Sequence, residues 1–241
     1  QVISVIGPRG GKTEPLVRPI ITTGLATFPT RHGSILRGLL EVFERDAYMI
    51  TWLNKLSPKK VRPEVLSAQD PLLRELLATV KKYRYTVHIV RLVTDAPVHA
   101  VCAVLLSDSP IGPRVVLGMS AQQHLAHAAS HAIREALRIM SATHSFWGVN
   151  KDVSSWTRET IQNTDHAVYW AYGDRYKQLE FLHAGEYEQT MPCAWESLDE
   201  AAYLSFLIAW CKEQSYEVLL ADLTSSKKNV TPWYISMVIV P

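Results

Sequence analysis

The sequence predicts an α+β or α/β domain built from mixed sheets packed with helices. Segments with apolar residues at helical spacing alternate with short β-branched runs. The 241 residues are 47% hydrophobic and 20% charged, a globular balance with length enough for one sizeable core. No short-period repeat runs through the chain, which argues against a solenoid.

The first segment, VISVI, reads as a strand and leads into GPRGGKT, which looks like the end of a phosphate-binding loop. Such a loop needs a glycine, four residues, then Gly-Lys-Ser/Thr opening a helix. Gly11, Lys12 and Thr13 supply the end, but Ile6 stands where the first glycine belongs. Pro15 and Pro19 also forbid the helix whose free N–H groups would face the anion. Residues 1–20 therefore read as a basic, Gly/Pro-rich connection, and residues 21–241 as the domain proper.

From Ser34 a helix is clear in SILRGLLEVFERDAYMITWLNKL, where Ile35, Leu36, Leu39, Leu40, Phe43, Ala47 and Ile50 share a face. Pro58 sets its latest end, and Lys59, Lys60 and Arg62 beside prolines read as a solvated loop. Asp70 as N-cap and Pro71 at the first helical position open PLLRELLATVKKY. YTVHIVRLV (85–93) and VHAVCAVLL (98–106) read as strands, with their pairing left open. The short run RVVLGM precedes a helix expected over 120–140, and residues 143–164 read as a long loop or lid. Residues 165–172 fit either state, and DRYKQLEFLH from Asp174 reads as helical. Ser197 and Glu200 match a capping box for SLDEAAYLSFLIAWCKEQ, and strands are expected at 216–220 and 233–240.

Composition excludes several functions. A formal net charge of +2 steers the molecule to neither nucleic acid nor acidic membranes. The seven tryptophans are scattered rather than interleaved with a basic stripe, so a single-stranded nucleic-acid platform is not supported. No run approaches the ~18 apolar residues of a spanning helix. Three cysteines without paired spacing argue against both a disulfide scaffold and a thiolate metal knuckle and point to a reducing cytoplasm. Cys102 and Cys211 lie in apolar surroundings and read as buried, inert thiols. A first residue of Gln and a last strand-like run ending at Pro241 lead us to expect part of a longer polypeptide.

Chemistry concentrates on two helices. Glu41, Glu44 and Arg45 stand at i, i+3 and i+4, adjacent on one face, with Ser34, Arg37, Gly38 and Tyr48 extending the stripe. Two carboxylates beside a guanidinium suit a magnesium ion on phosphate oxygens. The plainer reading is a solvated helix with an internal Glu–Arg pair. His124, His127, His131 and Glu135 also share a face, but one straight helix cannot converge all four on a single zinc ion. Only Glu135 is nominated there. Asp165-His166 and Asp222-Leu223-Thr224-Ser225 are weaker candidates, the latter reading first as a capped turn.

Taken together, TTGLATFPTRHGSILRGLLEVFERDAYMITWL, VHAVCAVLL, HAIREAL, TDHAVYW with LEFL, LLADLTS and ISMVIVP resemble the YcaO family in order, from about Ile20 onward. The best-known branch comprises cyclodehydratases that form azoline rings in ribosomally made peptides. The resemblance implies ATP bound without a P-loop, with helix-borne glutamates holding Mg2+ around the phosphates. It assigns nucleotide binding to Glu41, Glu44, Arg45 and Glu135, with Glu41 and Glu44 as metal ligands. It also implies a precursor-peptide substrate, a leader-binding partner protein or fused domain, and potential homodimers; thioamide or amidine formation and a silent scaffold are the alternatives. Three departures stand out. The family's earlier Glu-x-x-Glu helix and its C-terminal Pro-rich tail are missing, so the YcaO-like domain is expected to be incomplete in this chain. His131 and Arg138 also stand where arginine and glutamine are usual.

Overall fold

The computed structural model describes residues 21–241 except 110–111, 150–152, 154, 160, 162–164, 190–191 and 225–232. The expected first strand, the GPRGGKT segment and Ser225 lie outside the described residues. The elements run β1 (Leu25–Phe28), α1 (Arg31–Leu53), β2 (Lys60–Val61), α2 (Pro63–Ser67), α3 (Pro71–Lys82), β3 (Thr86–Arg91) and β4 (His99–Leu106). They continue with β5 (Val115–Gln122), α4 (Leu125–Val149), α5 (His166–Ala171), α6 (Glu200–Glu213), β6 (Leu219–Asp222) and β7 (Tyr234–Ile239). Two 3₁₀ segments, Arg175–Leu182 and Ala194–Ser197, lie between α5 and α6. The class is α+β: among the described residues every pairing between the named strands is antiparallel, and helices pack on the sheets. The described residues divide into two compact units, one within 21–42 with 198–241 and the other within 43–197, the division falling inside α1.

In the first unit the sheet order is β1-β7-β6. α1 begins three residues earlier than its apolar pattern suggests because the Thr30 hydroxyl accepts the Gly33 N–H at 3.0 Å, acting as its N-cap. Ser34, which the sequence placed on a polar stripe, is instead buried, with its hydroxyl 2.7 Å from that of Ser236 on β7. Arg37 stacks on Phe28 and pairs with Glu200 at 3.5 Å, so it is used within this unit. α6 buries Tyr203, Leu204, Leu207 and Cys211. Its cap is Asp199, which accepts from Ala202 N–H at 2.8 Å, not the expected Ser197, whose hydroxyl donates to the Ala194 carbonyl. The Asp222 carboxylate accepts from Thr224 N–H at 3.0 Å, the capped-turn reading of that segment.

In the second unit the order is β2-β3-β4-β5. β3 and β4 do pair, with Ile89 opposite Ala103. The RVVLGM run is longer than expected: β5 extends to Gln122, so α4 starts at Leu125 rather than at residue 120. α4 also runs on to Val149, which makes the first part of the expected 143–164 loop helical. Its alanines, Ala128, Ala129, Ala132 and Ala136, pack with Ile133 against Ile89, Val101, Ala103, Leu105 and Val116. Small side chains let the helix lie close to the sheet. The Lys60–Val61 stretch is a short edge strand, not a free loop, and residues 166–171 resolve as a helix.

The nominated cap of α3 is observed. Asp70 accepts from Leu72 and Leu73 N–H at 2.9 and 3.3 Å and takes the buried Ser130 hydroxyl of α4 on its other oxygen. One carboxylate thus ties two helices together. Burial opposes its ionisation, but the bonds from Ser130 and the two amides outweigh burial and hold the carboxyl below its usual range. Asp70→Ala should lower the unfolding free energy by about 1–2 kcal/mol in denaturant titration. A depressed folded-state pKa contributes above the unfolded value, near ~4, and that contribution is lost as pH falls through the folded value. The gap between wild type and variant should therefore shrink on acidification.

Candidate functional site

Among the described residues β5 is the outer strand of its sheet, so N–H groups on its far edge have no strand partner among them. Two carboxylates from different helices take them. Glu44 of α1 accepts from Ala121 N–H at 3.2 Å, and Glu135 of α4 accepts from Met119 N–H. Residues two apart on a strand present N–H groups on the same edge, about 6.6 Å apart. The structure thus brings together two glutamates that the sequence placed on separate helices.

Their shared neighbour is Cys102 of β4, whose register partner is Met119. Burial first, then the Glu135 and Glu44 carboxylates, push this thiol's pKa far upward. The thiol stays protonated, and the buried, inert reading of Cys102 holds. Tyr48 stands by the same spot: burial and Cys102 raise its pKa, opposed by Arg45. The Arg45 guanidinium lies 5.9 Å from the Tyr48 ring centre, a loose cation–π contact.

Glu41 has an anchor of its own in the first unit. It accepts from Gly24 N–H at 3.2 Å. Gly24 has φ +85°, and a Cβ there would sit 1.9 Å from the Val238 carbonyl oxygen. Only glycine makes that turn against β7, which gives the Gly-Leu-Ala segment ahead of α1 a physical reason.

On α4, Glu135 lines an open recess of about 340 Å³ with His131, Arg134, Leu137 and Arg138. Two guanidiniums and an imidazole beside a carboxylate suit a phosphate with its counter-cation. Arg134 was not nominated from sequence; the Arg134/Arg138 pair at i, i+4 flanking Glu135 was the signal available. The four-residue face from His124 does not act as one site. His124 turns toward Glu196, at 3.6 Å, while His131 and Glu135 share the recess. His127 is exposed, with its ring 5.2 Å from that of His124. Asp165 precedes α5 as its N-cap residue, with His166 the first residue of that helix, a helix boundary rather than a strand pair.

The sequence model described as YcaO cyclodehydratase, ATP- and Mg2+-binding, matches residues 3–241. The chain belongs to the YcaO family. The match takes in residues 3–20 as well as the segments recognised from Ile20 onward. No protein of curated function matches the sequence. Among solved structures, a heterocyclase in complex with substrate and cofactor superposes with TM-score 0.71 at 18% identity, covering 92% of this chain and 28% of that one. The E. coli microcin synthetase McbBCD complex with pro-MccB17 bound gives 0.64 at 16%, covering 92% and 54%. YcaO from Methanopyrus kandleri, bound with AMPPCP and Mg2+, gives 0.66 at 20%, covering 97% and 57%. At such identities the likeness establishes the YcaO fold. The chain spans between about a quarter and somewhat over half the length of these neighbours.

The close seat of α4 on β5 rests on Gly118. A Cβ there would meet Ala132 O at 2.1 Å and Ala136 N at 2.4 Å, both backbone atoms of α4. Gly118→Ala should force the helix outward, costing about 1–3 kcal/mol as overpacking, measurable as a lowered thermal midpoint. Met119, whose N–H is held by Glu135, should then exchange its amide hydrogen faster.

Proposed function

We propose that this chain forms the ATP- and Mg2+-binding core of a cyclodehydratase that makes thiazoline or oxazoline rings in a ribosomally made precursor peptide. The observation that carries this reading is the convergence of Glu44 and Glu135 on one edge of β5, with the guanidiniums of the α4 recess beside Glu135. Membership of a family of ATP- and Mg2+-binding cyclodehydratases supplies the reaction class.

The residues fit the group they are proposed to hold. Carboxylate oxygens are the hard donors Mg2+ prefers, and Glu41, Glu44 and Glu135 each have one oxygen fixed on a backbone amide. Such ligands are oriented before the ion arrives, so little reorganisation is required. Arg45, with Arg134 and Arg138, would balance phosphate charge. Bound ATP would supply the phosphoryl group that turns an amide oxygen into a phosphate leaving group, with Mg2+ offsetting the triphosphate charge. The peptide's own Cys, Ser or Thr side chain is the nucleophile toward the preceding carbonyl. The chain's part is then positioning and electrostatics, and no protein nucleophile is required; the buried thiol of Cys102 accordingly has no catalytic role.

The neighbours with a bound substrate and with pro-MccB17 in a three-component complex support a peptide substrate and a leader-binding partner protein or fused domain. A homodimer is a further part of this proposal. Unpaired cysteines are in keeping with work in a reducing cytoplasm, and no helix among the described residues is long and apolar enough to cross a membrane.

Glutamine keeps the amide-accepting oxygen but removes the charge, so Glu44→Gln and Glu135→Gln test the ion site without breaking its anchors. Calorimetry with AMPPCP and Mg2+ should show nucleotide affinity falling at least tenfold in either variant, with far-UV circular dichroism unchanged. Peptide-dependent phosphate release by the wild type with its partner should disappear in parallel. Unchanged nucleotide affinity in both variants would refute the site.

A further inference from the structure

A second group of metal-ligating side chains lies in the 43–197 unit, outside the proposed nucleotide site. His99, at the start of β4, is 2% exposed and presents Nε2 to Glu196 Oε1 at 2.7 Å. Glu196 and Cys193 come from one tight turn, Cys-Ala-Trp-Glu, closed by Glu196 N–H donating to the Cys193 carbonyl at 3.0 Å. One ligand-type atom from each of His99, Cys193 and Glu196 lies within 4.8 Å of the others. His124 supplies a fourth group: its Nδ1 is 3.6 Å from the second oxygen of Glu196. Topology explains the meeting. His99 is the register partner of Gln122 at the end of β5, and His124 follows two residues later. The turn is fastened to that strand end by Gln123, whose amide donates to the Trp195 carbonyl at 2.9 Å, and Trp195 packs on the His99 ring at 4.7 Å.

A hydrogen bond between His99 and Glu196 alone would pin the turn. That bond and the Cys193 N–H donated to the same oxygen at 3.1 Å set the turn, but neither requires a thiol or a second imidazole beside the carboxylate. We propose that His99, His124, Cys193 and Glu196 form a structural zinc site that fastens the 193–197 turn to the ends of β4 and β5.

Two imidazoles, a thiolate and a carboxylate make a borderline donor set, suited to Zn2+ and not to the hard Mg2+. Zinc bonds of ~2.0–2.3 Å place tetrahedral ligand atoms about 3.4–3.6 Å apart. The longest separation among the three, at most 4.8 Å, closes by a change of about 1 Å, within reach of side-chain rotation. Ligation releases the Cys193 thiol proton and moves the His99 ring proton from Nε2 to Nδ1, so that two metal bonds replace the His99–Glu196 hydrogen bond. The site rests on no assumption about ATP.

The test uses the full chain, dialysed against ZnCl2 and then against metal-free buffer, with metal counted by mass spectrometry. One tightly held zinc per chain is expected. Replacement by Co2+ should give the intense visible bands of a tetrahedral ion and a near-ultraviolet thiolate-to-cobalt band. Cys193→Ser should abolish the thiolate band, while Cys211→Ser should keep it. His124→Ala alters a side chain 43% exposed, so folding is expected to survive, and zinc affinity should fall at least tenfold. Failure of the wild type to retain stoichiometric zinc would overturn the proposal. So would a cobalt spectrum that Cys193→Ser leaves unchanged, or a zinc affinity that His124→Ala does not move.

Discussion

The constraint on which the site depends is that a backbone N–H withdrawn from water must find an acceptor. β5 ends its sheet, and its outward amides at Met119 and Ala121 find theirs in glutamates supplied by α4 and α1. A charged acceptor makes a stronger bond than a neutral one, of order 1.5–3 kcal/mol each. These bonds close an edge that would otherwise invite another strand. They also decide where two negative charges sit. The anchors that complete the sheet would therefore preorganise the ligands of the proposed cation site.

Small residues make that arrangement reachable. The alanine face of α4 and Gly118 of β5 bring helix and strand together closely enough for the short reach of Glu135 to suffice. The same economy appears in the first unit, where Gly24 offers its N–H to Glu41 from a backbone conformation that other residues rarely adopt. Glu41 and Gly24 of the recognised segment are thus two halves of one contact. A protein that carries phosphate chemistry without a glycine-rich loop at a helix N-terminus has to neutralise the triphosphate in another way. In the proposed site, carboxylate-held ions with flanking guanidiniums would be that way.

Much of this was legible in the sequence, for identifiable reasons. Long amphipathic helices announce themselves, and Asp70-Pro71 named its own cap because capping is local chemistry. The i, i+3 and i+4 relation of Glu41, Glu44 and Arg45 follows from helix geometry alone. Other features depended on tertiary contacts. The end of β5 and the start of α4 were misplaced because SAQQ is neutral between strand and helix, and pairing with β4 decides it. The α6 cap went to Asp199 over Ser197 because the latter's hydroxyl was taken by the preceding turn. His99, Cys193 and Glu196 are far apart in the chain except for the last two, so only the fold shows them as a group. The convergence of Glu44 and Glu135 on neighbouring amides was equally invisible before β5 was known to be an edge.

Amide hydrogen exchange at Met119 and Ala121 tests the central claim most directly. An outer-strand amide open to water exchanges quickly, whereas one held by a carboxylate is protected. The account predicts protection at both positions in the native protein. It predicts selective loss at Ala121 when Glu44 becomes Ala and at Met119 when Glu135 becomes Ala, with β3 and β4 amides still protected. Rapid exchange at both positions in the wild type, or protection indifferent to either glutamate, would contradict it.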